Sequence, residues 1–206
     1  MRRNLIVAAL ALGALAVATT DEDYSSAAWR DEIGKGFLPY RKLTLQDFPV
    51  QDDTASKHTM YTQGFMHYHF DMQWRESRNG ATASITGFTV RSGFDKNKSW
   101  RRSNVKNNPE LLEHEQGHLD INELNAERLK ELKDIPATKG IDYQEAMEKL
   151  RQTIRTRAEE IVKQSQAEQE RYDAETNHGR NYVRQAEWID SLHQRLADAK
   201  IKYSNE

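Results

Sequence analysis

Cysteine is absent from this chain of 206 residues. That excludes disulfide staples, and with them the usual framework of small exported domains. It also excludes the lipid-modified N-terminal cysteine of a bacterial lipoprotein. A basic excess is lacking too. Lysine and arginine total 30 against 32 acids, so nothing in the charge balance points to nucleic acid. Hydrophobic residues make up 37% and charged residues 30% of the chain. That suits a modest core with long solvated helices rather than a large barrel. The length allows one domain, or one with appendages.

What is present begins with a targeting segment. Arg2 and Arg3 precede an apolar run from Leu5 to Val17, and Ala16-Val17-Ala18 gives a small-x-small cleavage site. Cleavage is expected after Ala18, with residues 1–18 a signal peptide and the mature formal charge moving from −2 to −4. The run is shorter than a membrane span usually needs. The expected location is periplasmic or secreted, with no stable membrane anchor after cleavage. Residues 19–36 read as a flexible lead-in with a short helix around Ala27–Ile33, and residues 37–206 as a single domain.

The chemistry concentrates in His114-Glu115-Gln116-Gly117-His118, an HExxH motif. On a helix, positions i and i+4 share a face, so two imidazoles can reach one Zn²⁺. The glutamate beside the first histidine can take a proton from water at the metal and return it to a leaving amine. Helix context is well signalled. Asn108 is a good N-cap, Pro109 falls at the first helical position, and Glu110 and Glu113 suit the helix dipole. An apolar stripe runs Leu111, His114, His118, Ile121, Leu124, Leu129 and Leu132, which turns both histidines inward.

Upstream, Arg41–Phe48 alternates briefly and reads as a first strand. Met66, Tyr68, Phe70, Met72 and Trp74 make the clearest strand. Asn79-Gly80 signals a hairpin, and the return strand slips near Gly87, which predicts a bulge. His67 and His69 share a strand face, with a half-solvated sheet surface the plainer reading. Gly93–Arg102 reads as a polar loop in which Trp100 anchors the chain to the core. Downstream, one helix runs from a cap at Asp142 to about Arg171, with Tyr143, Met147, Leu150, Ile154, Ala158, Ile161 and Ser165 inward. Another runs from about Asn181 to Lys200, with Tyr182, Ala186, Ile189, Leu192 and Leu196 inward. The two suit an antiparallel hairpin and leave room for a homodimer.

The junction Tyr172-Asp173-Ala174-Glu175-Thr176-Asn177-His178-Gly179 is polar and offers ligands where a third is needed. His178 is the first choice, with Glu175 and Asp173 as alternatives or as groups that hold a ligand histidine. Asp120, some 200° around the helix from His118, is poorly placed.

Leu111–Ile121, the block Tyr172–Gly179, and then Gln185 and Trp188 together resemble the bacterial domain of unknown function described as a predicted secreted zinc-dependent protease. Leu43–Phe48 looks like that family's leading strand, and Ser99-Trp100 like its Ser-Trp pair before the metal helix. The resemblance covers the chain from about Tyr40 to Leu196. Leu119 and Pro49 depart from it, where an aromatic and a glycine are common. It implies metal binding by His114 and His118, a catalytic Glu115, and His178 as third ligand. Tyr172 is the nearest oxyanion donor by sequence. The expected fold is α+β and zincin-like, a small antiparallel sheet on the HExxH helix and a long helical hairpin. The expected function is a zinc-dependent metallopeptidase acting on peptide or protein. The alternative is a non-catalytic periplasmic binding or scaffold domain in which zinc is structural.

Overall fold

The computed structural model describes residues 6–11, 35–52 and 55–201. The architecture is α+β, three helices packed on a small antiparallel sheet. Strand β1 is Ile6–Ala11, β2 Phe37–Pro39, β3 Met60–Tyr61, β4 Gly64–Ser77, β5 Gly80–Asp95, β6 Trp100–Arg101 and β7 Thr138–Gly140. Helix α1 is Pro109–Lys130, α2 Tyr143–Thr176 and α3 Tyr182–Asp198.

The main sheet has the order β1-β4-β5-β2, with β7 also paired to β5, and β3 and β6 form a separate ladder. The long β4–β5 hairpin is its spine. Arg78 and Asn79 form the loop between Ser77 and Gly80, and Gly80 takes φ +115. Arg78 and Asn79 do not take positive φ, so the turn is not the left-handed pair of a type I′ turn, and the ladder runs in register to Ser77 and Gly80. The slip expected near Gly87 is present, because Asp71 faces Gly87 while Met72 faces Ile85. β1 lies inside the segment read as a signal peptide and pairs antiparallel with Phe65–Phe70. Its removal with the leader would leave that edge of β4 open. The helix expected at Ala27–Ile33 lies outside the described residues. Among the described residues, no helix is long and apolar enough to cross a membrane.

Three elements differ from the sequence reading. Arg41–Phe48 is not a strand. Asp47 accepts from the backbone N–H of Thr44 (2.7 Å) and pairs with Arg41, so a local cap winds Leu45–Asp47 into a 3₁₀ turn. Gly93–Arg102 is not all loop. β5 continues to Asp95, and Trp100 sits in β6 with its ring stacked on Tyr61 at 6.4 Å. Thr138–Gly140 adds a short strand on Ala81–Ala83.

Two cores flank α1. Met66, Tyr68 and Phe70 of β4 meet Ala126 and Leu129 of α1 and Leu150, Ile154 and Ala158 of α2. On the other side, Leu119, Ile121 and Leu124 meet Phe48, Phe94 and Leu192. α1 is therefore enclosed rather than amphipathic, and its polar side chains carry their own partners. Asn122 donates to the Phe65 carbonyl (2.9 Å), and Glu123 binds Ser92. On α3, Tyr182 and Ala186 face solvent, and Gln185, Trp188, Ile189, Leu192 and Leu196 face inward. The α2–α3 hairpin is antiparallel and is clamped by the Arg195–Glu168 ion pair. Leu150 is wholly buried where sheet and α2 meet. Leu150→Ala should cost about 2–5 kcal/mol, read from urea unfolding; a loss below about 1 kcal/mol would show that this seam is not core.

Candidate metal centre

The site forms where α1 crosses the last turns of α2. Asn108 caps α1 by accepting from Leu111 N–H (2.9 Å), and Pro109 follows. From this start the helix brings His114 and His118 to one face, with Nε2 atoms 3.3 Å apart. α2 does not stop near Arg171 but runs to Thr176. The junction's Tyr172, Asp173 and Glu175 are therefore helical, and their directions are fixed.

Asp173 points at the histidines. Its Oδ1 lies 3.1 Å from His114 Nε2, 3.1 Å from His118 Nε2 and 3.3 Å from His178 Nδ1. Ligand atoms of His114, His118 and Asp173 all fall within 4.8 Å of one another. Ligands about 2.0–2.2 Å from a tetrahedral Zn²⁺ stand roughly 3.3–3.5 Å apart, so the spacing nearly matches three corners of such a site. His178, which the family resemblance implies as third ligand, stands at the rim, 51% exposed, and the cluster of possible ligand atoms comprises His114, His118 and Asp173. Glu175 is committed elsewhere, accepting from Trp188 Nε1 (2.9 Å) and pairing with Arg184. Asp120 is fully buried and accepts from Tyr40 Oη (2.9 Å) and Gln116 Nε2 (2.7 Å).

The protonation chemistry of His118 fits a cation. Its Nε2 faces the Asp173 carboxylate, and its Nδ1 faces Gln169 Oε1 at 2.5 Å. Gln169 Nε2 donates to the His118 carbonyl (2.8 Å), which fixes the amide with its oxygen toward the ring. Both ring nitrogens thus face acceptors, while a neutral imidazole carries one hydrogen. A second proton on the ring would give each acceptor a hydrogen. Burial opposes that charge, but Asp173 and Glu115 outweigh it and raise the His118 pKa. Burial would likewise raise Asp173, but hydrogen bonds from His114 and His118 hold its carboxyl well below the usual range. A cation on the Nε2 side would satisfy all three residues without the extra proton.

Tyr172 is not in the cleft. It is fully buried beneath the histidines, donates to the His114 carbonyl (3.2 Å) and stacks on the His114 ring at 4.7 Å. Burial pushes its pKa upward, so it remains a phenol donor. Gly117 makes room for it, since a β-carbon there would stand 2.4 Å from Tyr172 Oη. The other middle residue of the motif, Gln116, accepts from Leu43 N–H (2.7 Å) and so ties the N-terminal segment to α1.

Tyr61, which sequence reasoning missed, does line the cleft, as does Tyr182. The cleft, about 560 Å³, has His114, Glu115, His118 and Asp173 along its floor and the segment Lys57–Thr62 as a wall. Tyr61, Glu115 and Asp173 line the same cleft, where burial and then the charges of Glu115 and Asp173 raise the Tyr61 pKa. Only a two-residue strand carries Tyr61, too short for a periodic signal. His67 and His69 lie on β4 away from the cleft, beside Phe65 and Asp71 respectively.

An HExxH helix with a carboxylate from a second helix, beneath an open cleft, defines a candidate mononuclear metal centre. The profile of the family described as "Bacterial protein of unknown function (DUF922)" matches residues 44–179, and the chain belongs to that family. Neither a curated protein nor a solved structure matches it.

Helix propensity alone predicts that Gly117→Ala stabilises α1 by about 1 kcal/mol. The contact with Tyr172 predicts the reverse, a loss of about 1–3 kcal/mol. Chemical denaturation distinguishes the two by sign.

Proposed function

We propose that this protein is a zinc-dependent hydrolase acting on peptide bonds, exported from the cell. The observation that carries the reading is the convergence of His114, His118 and Asp173 at the floor of an open cleft, with Glu115 beside them. His114, His118 and Asp173 would hold the ion. A bound Zn²⁺ supplies a Lewis acid for a carbonyl and lowers the pKa of water toward neutrality. Glu115 takes the proton of the attacking water and passes it to the leaving nitrogen. The Tyr61 hydroxyl, at present donating to Gln63 Oε1 (3.0 Å), turns to donate to the oxyanion that develops on the carbonyl. Tyr172 keeps a positioning role by holding the His114 backbone and ring. The leader read in residues 1–18 favours a periplasmic or secreted location.

One observation favours the alternative, a structural zinc in a non-catalytic domain. His178 Nδ1 is close enough to Asp173 to join it as a fourth protein ligand, and four ligands would close the site. The two readings separate on metal content. Under the hydrolase reading, Asp173→Ala weakens zinc binding by about 100-fold or more, whereas His178→Ala retains about one zinc per chain. Equal loss in both variants would favour the closed structural site.

Activity on a quenched fluorescent peptide library gives the second test. Glu115→Gln should keep the metal and lower kcat by about 10²–10⁴-fold. Tyr61→Phe should lower kcat by about 10²-fold with little change in KM. Undiminished turnover in Glu115→Gln would refute the mechanism.

A further inference from the structure

The centre holds a second glutamine whose place is unexplained by the residues so far assigned. Gln185, on the first turn of α3, is 2% exposed. Its Nε2 donates to the Glu110 carbonyl at 2.8 Å. That bond fixes the amide, as the matching bond does in Gln169, and leaves Oε1 as the free end. Gln185 Oε1 is buried with no hydrogen-bond partner. So is His114 Nδ1, the nitrogen of the ring turned away from Asp173. One is an acceptor, and the other carries a hydrogen whenever Nε2 does not.

Both groups border Gly179. A β-carbon on that glycine would stand 3.2 Å from Gln185 Oε1 and 3.1 Å from His114 Cγ. The turn that brings them together is built from three successive left-handed residues, Asn177, His178 and Gly179, at φ 51, 53 and 77. Two buried orphan groups of opposite kind on one glycine are costly apart and complementary together.

We propose that Gln185 is the positioning residue of His114, accepting the Nδ1 hydrogen once the metal occupies Nε2. The inference rests on the metal-centre reading above. It makes the centre a frame of two glutamines. Gln169 on α2 orients His118 through an existing bond, and Gln185 on α3 orients His114 through a bond that metal binding closes. The long hairpin therefore sets the ligand geometry from both of its helices. Carbonyl acceptors of this kind fix the tautomer of a metal-bound histidine and raise its basicity.

Zinc affinity, by competition with a chromogenic chelator, is measured on the full chain and on Gln185→Leu and Gln185→Glu, beside the metal-free melting temperature of each. Gln185→Leu should weaken zinc binding by about 10–100-fold. Gln185→Glu keeps an acceptor and should stay within about threefold of the unmodified protein. Histidine ring NMR of the zinc-loaded protein should show a slowly exchanging His114 Nδ1 hydrogen, kept in the Glu variant and lost in the Leu variant. Affinity unchanged in Gln185→Leu, or equally weak in both variants, overturns the proposal. If the Leu variant does not fold, the spectrum of the unmodified protein decides, and a fast-exchanging or absent Nδ1 hydrogen there overturns it. Failure of the unmodified protein to take up zinc overturns the metal-centre reading instead, and this inference with it.

Discussion

The Asp173 carboxylate between His114 and His118 is the contact on which the rest of the structure depends. It joins two helices that are also held by apolar packing and by the bonds of Gln169 and Tyr172 to the His118 and His114 carbonyls. To deliver that carboxylate, α2 must run unbroken from Tyr143 to Thr176. It must also lie close to α1, and Gly117 permits this by leaving space for the Tyr172 ring. Two imidazoles and a carboxylate drawn out of water are expensive unless they are paired and hydrogen-bonded. Here they share one oxygen. The arrangement asks for a proton or a cation between these groups.

The surrounding polar residues follow from that requirement. An enclosed helix such as α1 is ordinarily apolar on all sides. This one buries Gln116, Asp120, Asn122, Glu123 and Asn125. Gln116 and Asp120 hold each other and the segment Tyr40–Leu43, while Asn122 and Glu123 hold the sheet at Phe65 and Ser92. Each bond removes a rotational or sliding freedom of α1 relative to its neighbours. Apolar contacts alone would stabilise the packing but would fix the histidine positions less closely.

Much of this was legible in the sequence wherever the signal was local. Asn108-Pro109 marked the start of α1, and the alternation from Met66 to Trp74 marked β4 with its bulged partner. The end of α2 was not legible, because Tyr172–Gly179 has the composition of a loop. Tyr172–Thr176 is nonetheless helical, with Tyr172 and Asp173 turned to the histidines of α1. Beyond Ser165, already read as inward, Gln169, Tyr172 and Thr176 continue the three-and-four spacing of Met147–Ile161, with the hydrophobic signal replaced by hydrogen bonding. The same substitution misplaced the inward face of α3, where Gln185 is buried and Tyr182 is exposed. Helical geometry brings Asp173, one of the alternatives read from the sequence, against His114 and His118, and leaves the first choice, His178, beside Asp173 at the rim. Leu43 and Leu45 suggested a strand, but two alternating positions cannot outweigh a cap between Thr44 and Asp47.

The division of labour within the site follows from which groups are confined. His114, Tyr172 and Gln185 are almost fully buried, and each is held by helix packing. Tyr61 belongs to a two-residue strand, with its ring on Trp100 and its hydroxyl on Gln63, and His178 to a left-handed turn at the rim beside Asp173. Rigid groups suit the holding of an ion, because ligand spacing errors of a few tenths of an ångström cost affinity. Groups that must meet a substrate and release it do better at the rim, where small displacements are cheap. In the proposed hydrolase the ligand set would therefore sit on helices and the hydroxyl donor on an edge strand, so that the rigid part of the site would hold the ion and the rim would meet what enters the cleft.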